Sequence, residues 1–276
     1  MNYKISDLAN IFEVTTESIR FFEKKGIISP KRDEETGYRI YSGWDAFSLL
    51  DWTMYKKCEF SLQEYLTLTN TDSLSICCNM FDNKLVEIET KIERLTMLKD
   101  WLSFWSSELL DFSLNLNKVR LRRMPEMVFI PVGTEHAGDD LENYVIDNDA
   151  MKLHASLLPF CLPVIQTSVA SLYNEKGNAK IYRGGIINKS YLEKMNADLS
   201  AVEPVTIPSS LFLSYNVCVG DIGGLDLSEL YPIIDYLNES KYTAYNEVYG
   251  LVMARIKEGS VYKRYFQFLL PVKKYI

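Results

Sequence analysis

The chain has 276 residues, of which 47% are hydrophobic and 24% are charged, and its formal net charge is −7. This length can hold two modest domains and still bury a sizeable core. The negative charge argues against indiscriminate nucleic-acid binding by the whole chain, although one small module could still bind DNA specifically. No apolar run reaches the roughly 18 residues of a membrane span, and no signal-like segment precedes the first predicted helix. We therefore expect a cytoplasmic protein with no membrane partner.

The five cysteines show no paired framework, and a cytoplasmic chain would keep them reduced. They are Cys58, Cys77, Cys78, Cys161 and Cys218. His136 and His154 stand alone, and no metal-ligand spacing recurs in the chain. We predict no metal site and no cofactor, and we interpret Cys77 and Cys78 as small residues on a helix.

Residues 6–25 have the apolar spacing of two short helices, separated by a polar break at Thr15 and Thr16. Ser6 is a candidate N-cap for the first helix, and Gly26 is the expected stop of the second. In a helix-turn-helix, the second helix enters the major groove by its N-terminal end. Among the polar residues at that end, Arg20 is the best single candidate for a DNA contact.

A turn-rich insert at residues 31–37 follows these helices and precedes an apolar and basic run at residues 38–41. Glycine and several charged turn formers lie between two short segments that can pair. The pattern predicts a hairpin wing beside the helix-turn-helix.

The order of these motifs resembles the winged helix-turn-helix of the MerR family of transcription regulators. The resemblance is carried by Ile19-Arg20-Phe21-Phe22-Glu23-Lys24-Lys25-Gly26, Pro30, Arg32, Gly37-Tyr38-Arg39-Ile40-Tyr41-Ser42 and Lys57-Cys58-Glu59-Phe60-Ser61-Leu62. It implies a DNA-binding domain over residues 1–73, with a second wing at residues 56–61 and contacts to promoter DNA. The implied DNA-binding residues are Thr15, Thr16, Ser18, Arg20, Phe21, Phe22, Tyr38, Arg39, Tyr41, Lys56, Lys57 and Ser61.

Two departures from the family pattern concern backbone contacts. Relatives usually carry tyrosines where this chain has Phe21 and Phe22, and phenylalanine lacks the hydroxyl that could donate to a phosphate oxygen. Glu59 stands where relatives have glycine, which places a carboxylate near the expected phosphate. Acidic residues slightly outnumber basic ones in residues 1–62, so DNA binding must rely on where the charges point. A winged helix used for protein contacts is the alternative.

A long helical pattern covers residues 74–117, and its apolar side chains recur on four-residue and three-residue steps. They are Phe81, Leu85, Ile88, Ile92, Leu95, Leu102 and Leu109, with Lys99 and Ser106 as polar interruptions. The stripe predicts a coiled-coil dimerisation helix and a homodimer formed through residues 81–109. The alternative is that this helix packs within the chain through Trp101 and Trp105, which lie off the stripe.

Beyond residue 118, strand-like runs alternate with helical ones, which indicates an α+β domain of two similar halves. We predict strands at 128–132, 164–173, 180–187, 211–219, 247–256 and 262–272, helices at 139–158 and 227–237, and a turn at 175–178. The order of motifs resembles the GyrI-like effector-binding domain of the multidrug-sensing MerR regulators. It is carried by Thr206-Ile207-Pro208, Leu213-Ser214-Tyr215-Asn216, Val248-Tyr249 and Gln267-Phe268-Leu269-Leu270-Pro271-Val272-Lys273. The predicted fold class is therefore multidomain, α and α+β.

The resemblance implies an effector site in residues 118–276, where relatives hold cationic aromatic compounds between rings and carboxylates. Gly250 and Gln267 occupy the positions that match those acids. We therefore predict a larger, uncharged pocket beside the small residues of the predicted strand at 247–256. A neutral pocket leaves the desolvation of a cation uncompensated, which favours a neutral or mixed-polarity aromatic effector. The candidate effector residues are Tyr144, Tyr182, Tyr215, Asn216, Glu247, Tyr249, Gly250 and Gln267.

Together these features predict a homodimeric regulator that binds an aromatic small molecule and distorts promoter DNA. The family resemblance implies that RNA polymerase is affected indirectly, through the altered promoter. Two alternatives stay open: a repressor with an unliganded effector domain, and a ligand-degrading GyrI-like enzyme fused to a DNA-binding head. The loss of both acids removes the obvious acid or base for such chemistry, so we predict that the chain is not an enzyme.

Overall fold

The structure is a computed structural model that describes residues 2–136, 145–173, 179–220, 227–259 and 261–275. The chain divides into two compact units, Met1–Lys99 and Asp100–Ile276. Helix α5 spans Leu74–Leu114 and contributes residues to both units. In the described part of the chain, no helix is long and apolar enough to cross a membrane.

The N-terminal unit is built from short helices and one small hairpin. Its elements are α1 (Ile5–Ile11), α2 (Thr16–Lys24), β1 (Lys31–Arg32), β2 (Arg39–Ile40), α3 (Gly43–Lys57), α4 (Leu62–Asn70) and the first part of α5. The predicted helix-turn-helix and hairpin wing are both present, with β1 and β2 paired antiparallel. Gly26 and Gly37 have φ values of +77° and +70°, which explains the helix stop and the tight turn of the wing.

Local hydrogen bonds fix where these helices begin. The side chain of Thr15 accepts from the backbone N–H of Ser18 at the start of α2, as expected for an N-cap. The N-cap of α1 is Lys4, not Ser6, because the carboxylate of Asp7 accepts from the Lys4 backbone N–H at 2.7 Å. The reciprocal capping boxes that start α3 and α4 rest on Ser42 and Ser61.

The core of this unit forms where α1, α2, α3 and α4 meet the base of the wing. It includes Leu8, Ile19, Tyr41, Leu49, Trp52 and Tyr65. Next to it, the ammonium group of Lys84 is buried between the carboxylates of Glu64 and Glu87, at 2.9 and 2.7 Å. The hydrogen bond from Lys84 is the main cause that lowers the pKa of Glu64 to about 2. This ion pair ties α4 to the first part of α5 within the unit.

Five members of the predicted apolar stripe on α5 are exposed: Phe81, Leu85, Ile92, Leu95 and Leu102. The members at the two ends also make contacts within the chain. Phe81 contacts the rings of Tyr55 and Phe60, and Leu109 packs against a core cluster of the C-terminal unit. The stripe is therefore an exposed surface in its middle and a packing surface at its ends.

The C-terminal unit contains one antiparallel sheet, to which the described residues contribute ten strands. Its main strand order is β3-β9-β12-β11-β6-β7-β4-β5, with β8 beside β4 and β10 beside β12. The strands are β3 (Val119–Met124), β4 (Met127–His136), β5 (Val145–Ile146), β6 (Leu162–Ser168), β7 (Lys180–Asn188), β8 (Val205–Ile207), β9 (Ser210–Val219), β10 (Tyr242–Ala244), β11 (Glu247–Glu258) and β12 (Val261–Lys274). The helices are α6 (Asn148–Ser156), α7 (Lys189–Met195) and α8 (Tyr231–Glu239).

The register of β11 determines which side chains face each side of this sheet. Gly250 pairs with Phe268 on β12 and with Ile165 on β6. Because successive strand residues face opposite sides, Val248 joins the core cluster that includes α8. Tyr249, Leu251 and Met253 belong to a second cluster, which includes Phe112 of α5.

All six predicted strands of this unit are present, and the differences lie at their ends. Residues 169–173 form a 3-10 turn instead of continuing β6. The predicted helix at 139–158 is present only in part, as α6, which begins at Asn148 on the N-cap Asp147. Residues 145–146 form strand β5 instead, and residues 137–144 lie outside the described residues. The predicted turn at 175–178 also lies outside them. Helix α7 was missed because its seven residues are too few to show a helical period.

Candidate DNA-binding surface and effector cavities

The exposed side of α2 combines charged side chains with one aromatic ring. Glu17, Arg20, Phe21 and Lys24 are exposed, whereas Ile19 is buried in the core. This side includes Arg20, the predicted contact residue. Thr15, Thr16 and Ser18 lie at the N-terminal end of the same helix, where Thr15 is engaged as the cap.

The two phenylalanines of α2, Phe21 and Phe22, have different environments. Phe22 packs edge-on against Trp52, with ring centroids 6.4 Å apart. Phe21 keeps 46% of its surface exposed, and the Lys25 ammonium lies 5.7 Å from its ring centroid. Only Phe21 therefore presents an accessible ring on the outer side of α2.

The wing contributes Tyr38 and Arg39, which are both exposed. The guanidinium group of Arg39 donates to the Glu23 carboxylate at 2.8 Å, which links the wing to α2. Tyr41 is 0% exposed and lies in the core, where its backbone pairs with that of Tyr3. The prediction that Tyr41 contacts DNA is therefore corrected: the alternation along the strand turns its ring inward.

The predicted second wing is the connection between α3 and α4. Lys56 and Lys57 lie in the last turn of α3, and Ser61 is the N-cap of α4. Glu59 has φ +63°, a conformation that favours glycine. Its carboxylate forms an ion pair with Lys91, and the hydrogen bond from Lys91 is the main cause that lowers the pKa of Glu59. The negative charge of Glu59 therefore has a cationic partner within the unit.

The C-terminal unit contains an aromatic cavity of about 360 Å³, which we call cavity A. Trp101 and Trp105 of α5 stack with centroids 5.8 Å apart and an interplanar angle of 10°. Trp101 also meets Phe160 edge-on, and Phe160 stacks on Tyr191 at 4.9 Å. These four rings line cavity A and suit a flat apolar ligand.

The polar groups beside cavity A are largely paired with one another. Arg122 and Glu108 form two parallel hydrogen bonds of 2.8 and 2.7 Å, the bidentate geometry of a strong ion pair. Gln267 is 2% exposed, and its amide donates to the side chain of Asn216 at 3.2 Å. Asn216 in turn donates to the Phe112 carbonyl near the end of α5. The inner wall of the cavity therefore carries no unpaired charge among the described residues.

A second cavity of about 320 Å³, cavity B, lies in the same unit and has a different character. Glu247 lines it together with Tyr245, Tyr249 and Gln166. Burial raises the pKa of Glu247, and no ion pair to it occurs in the described part of the chain. Burial, aided by the nearby charge of Glu247, raises the pKa of Tyr249 to about 12. Cavity B therefore presents a carboxyl group to any ligand.

Gly250 lies away from both cavities. A Cβ atom at this position would be 2.6 Å from Phe268 Cε1 and 2.8 Å from Ile165 Cγ1. The prediction that Gly250 leaves space for a larger pocket is wrong, because the register turns it into the core cluster beneath α8. Here the glycine allows a phenylalanine ring to approach the strand closely.

Comparison with known proteins identifies the family. Residues 3–49 match the family described as MerR HTH family regulatory protein. The HTH-type transcriptional regulator CueR of Vibrio cholerae is 35% identical over 106 residues, which cover 37% of this chain and 76% of that protein. The chain belongs to the MerR family. Another relative, the mercuric resistance operon regulatory protein of Bacillus cereus, is 31% identical over 108 residues, covering 37% of this chain and 81% of that protein.

Two solved structures resemble larger parts of the chain at low identity. The EcmrR–DNA complex is 16% identical, covers 99% of this chain and 100% of that chain, and has a TM-score of 0.36. A hydrolase from Listeria innocua is 14% identical, covers 61% of this chain and 98% of that chain, and has a TM-score of 0.38. These scores are too low to support any conclusion about function. The family assignment therefore rests on the N-terminal part, and it makes the chain a MerR-type DNA-binding transcription regulator.

In this MerR-family chain, the predicted effector residues do not form one site. Gln267 lines cavity A, whereas Glu247 and Tyr249 line cavity B. Tyr215 is buried with Phe268 in the core cluster beneath α8. Asn216 accepts a hydrogen bond from Gln267. Tyr182 packs beside the second cluster, and the Lys180 ammonium lies 4.7 Å from its ring centroid. Tyr144 lies outside the described residues.

The aromatic residues of cavity A were not predicted as effector residues. Trp101 and Trp105 carried a signal, because they lie four residues apart and off the exposed stripe. The structure confirms that they pack within the chain, against Phe160 and the second core cluster. The sequence gives no such signal for Phe160 and Tyr191, since each lies in a short or irregular segment that shows no helical or strand period.

Proposed function

We propose that this MerR-family regulator is a homodimer whose GyrI-like C-terminal domain binds a neutral or mixed-polarity aromatic compound in cavity A. The observation that carries this proposal is the set of four rings around a cavity whose inner charges are paired. Binding of the compound controls how the regulator distorts promoter DNA, and RNA polymerase responds to the altered promoter.

The charge distribution supports an uncharged ligand core. Glu108 is neutralised by Arg122, and the side chain of Gln267 is a neutral amide. The other charged groups that line the cavity, Asp100, Arg123 and Lys194, are exposed side chains at its rim. A cation entering the cavity would lose hydration without an unpaired carboxylate to replace it. Flat rings gain contact area and stacking without that cost.

Regulation requires that the ligand distinguish two states of the protein. A compound with equal affinity for both states would shift nothing, however tightly it bound. Cavity A satisfies one structural condition, because Trp101 and Trp105 belong to α5 while Phe160 and Tyr191 belong to the sheet domain. The affinity of a ligand between these rings therefore depends on the position of the end of α5 relative to the sheet.

We expect flat neutral aromatic compounds, such as 2-naphthol, to stabilise the full chain against thermal unfolding more than 2-naphthylmethylammonium does. A bound ligand stabilises the folded state by mass action, by about 2.7 kcal/mol at a concentration of one hundred times Kd. Trp101→Ala and Trp105→Ala should each remove most of this stabilisation. Trp44→Ala, at an exposed ring of the N-terminal unit, is the matched control and should leave it unchanged.

Each other outcome supports a different function. Preference for the cationic compound, abolished by Glu247→Gln, would place the effector in cavity B. Absence of stabilisation by any compound in an aromatic screen would favour a repressor with an unliganded domain. Recovery of chemically altered ligand would favour an enzyme, although burial raises the pKa of the Cys161 thiol to about 12 and so disfavours it as a nucleophile.

Dimerisation through α5 has its own test. Leu85, Ile92, Leu95 and Leu102 form an exposed apolar row at helical spacing, which a second copy would bury. We expect Ile92→Glu with Leu95→Glu to convert a dimer into a monomer in sedimentation at micromolar concentration. Val86→Glu, at an exposed position off this row, should remain dimeric. A monomeric wild-type chain would contradict the proposal.

A further inference from the structure

The exposed side of α2 presents one large apolar ring among charged side chains. Phe21 keeps 46% of its surface exposed, between Arg20 and the polar residues of neighbouring turns. A phenylalanine is usually buried, so an exposed ring at this place suggests a partner surface. In a helix-turn-helix this helix enters the major groove. The ring therefore lies on the exposed side of the helix that enters the groove, about one turn beyond its N-terminal end.

Contacts within the protein hold the Phe21 ring in a defined orientation. Phe22 meets it edge-on at 5.9 Å, and Phe22 is itself anchored against Trp52. The Lys25 ammonium lies over the ring, 5.7 Å from its centroid. Below it, Ile19 is fully buried and fixes the rotation of α2 about its axis. A ring that is already ordered loses little side-chain entropy when it meets DNA.

The chemistry of phenylalanine limits what this ring can recognise. Without a hydroxyl it can neither donate to a phosphate oxygen nor hydrogen-bond to a base. In the major groove, the apolar group that distinguishes one base pair from the others is the 5-methyl group of thymine. We propose that Phe21 is a specificity-determining residue, whose ring packs against the thymine methyl group at one position of each operator half-site.

Removal of that methyl group alone tests the proposal. A preferred duplex is first selected from random DNA with the full chain, and each thymine is then replaced by deoxyuridine, which lacks only the 5-methyl group. We expect one position in each half-site at which the replacement weakens binding about fourfold, the factor for one buried methyl group. The pairing of positions rests on the dimer proposed above. A monomer would show a single responsive position, so the two proposals can fail separately.

Variants assign the effect to the ring. Phe21→Ala should bind the thymine and deoxyuridine duplexes equally at the responsive position, whereas Phe21→Tyr retains a ring and should still discriminate. Phe47→Ala removes an exposed ring from α3 of the same unit and should keep the fourfold difference. The proposal is overturned if Phe21→Ala still discriminates, if no thymine methyl group matters, if no sequence is selected, or if Phe21→Ala weakens all duplexes equally.

Discussion

A Gly250→Glu variant is expected to lose the folded C-terminal unit instead of gaining a site for cations. The first atom of the new side chain would lie 2.6 Å from the Phe268 ring and 2.8 Å from Ile165. Overpacking of this kind costs about 1–3 kcal/mol, and a carboxylate forced into the core cluster adds the larger penalty of an unpaired buried charge. The expected result is a fall in the unfolding temperature of the C-terminal unit of ten degrees or more, on the order set by these costs.

The matched control is Gly220→Glu, because a Cβ atom at Gly220 has no other atom within 4 Å. Circular dichroism during heating should show Gly220→Glu unfolding close to the wild type. If Gly250→Glu unfolded at the wild-type temperature, the register of β11 against β6 and β12 would be wrong. The comparison therefore tests the side of the sheet to which each candidate effector residue is assigned.

Removal of Arg122 is the second change with a large expected effect. Arg122→Ala leaves the Glu108 carboxylate without its bidentate partner, at a site where the two side chains are only 21% and 14% exposed. Breaking a buried pair in this way costs about 3 kcal/mol, near the lower end for such pairs because some exposure remains. Stability measured by urea unfolding should fall by that amount, and cavity A should lose the wall that Arg122 provides.

Two further variants separate charge from packing. Arg123→Ala changes the neighbouring arginine, which is exposed and forms no ion pair in the described residues, so its cost should stay within about 0.5 kcal/mol. Glu108→Leu combined with Arg122→Met replaces the pair by apolar groups and should recover most of the lost stability. If the double variant were as unstable as Arg122→Ala, packing around the side chains and not the unpaired carboxylate would explain the loss.

The helix-turn-helix could be predicted from sequence because its signals are local. Thr15 caps α2 through a hydrogen bond to a residue three positions ahead, and Gly26 ends the following stretch with a positive φ. Tyr41 shows the limit of such reasoning. The family motif marked it as a DNA contact, but pairing with Tyr3 near the start of the chain turns its ring into the core.

The effector site was less predictable for a related reason. A shift of one residue in strand register moves every side chain to the opposite side of a sheet. Val248 and Val252 do lie on the same side of β11 as Gly250, but a register shift after Val252 places Ala254 opposite Tyr265 on the other side. The sequence could not show this shift, nor that the side of Gly250 meets Phe268 and α8 instead of a cavity. Gln267 was assigned as an effector residue from a motif, and it does line cavity A.

The sequence by itself determined the family, the part of the chain that forms the helix-turn-helix and the position of most strands. These features depend on caps, glycine stops and apolar periods, which act over a few residues. Only the tertiary structure decided which rings surround cavity A and which carboxyl groups remain unpaired. Trp101 and Phe160 meet through packing between distant segments, and Arg122 neutralises Glu108 across such a contact. Long-range contacts of this kind leave no local pattern, since each partner alone is an ordinary aromatic or charged residue.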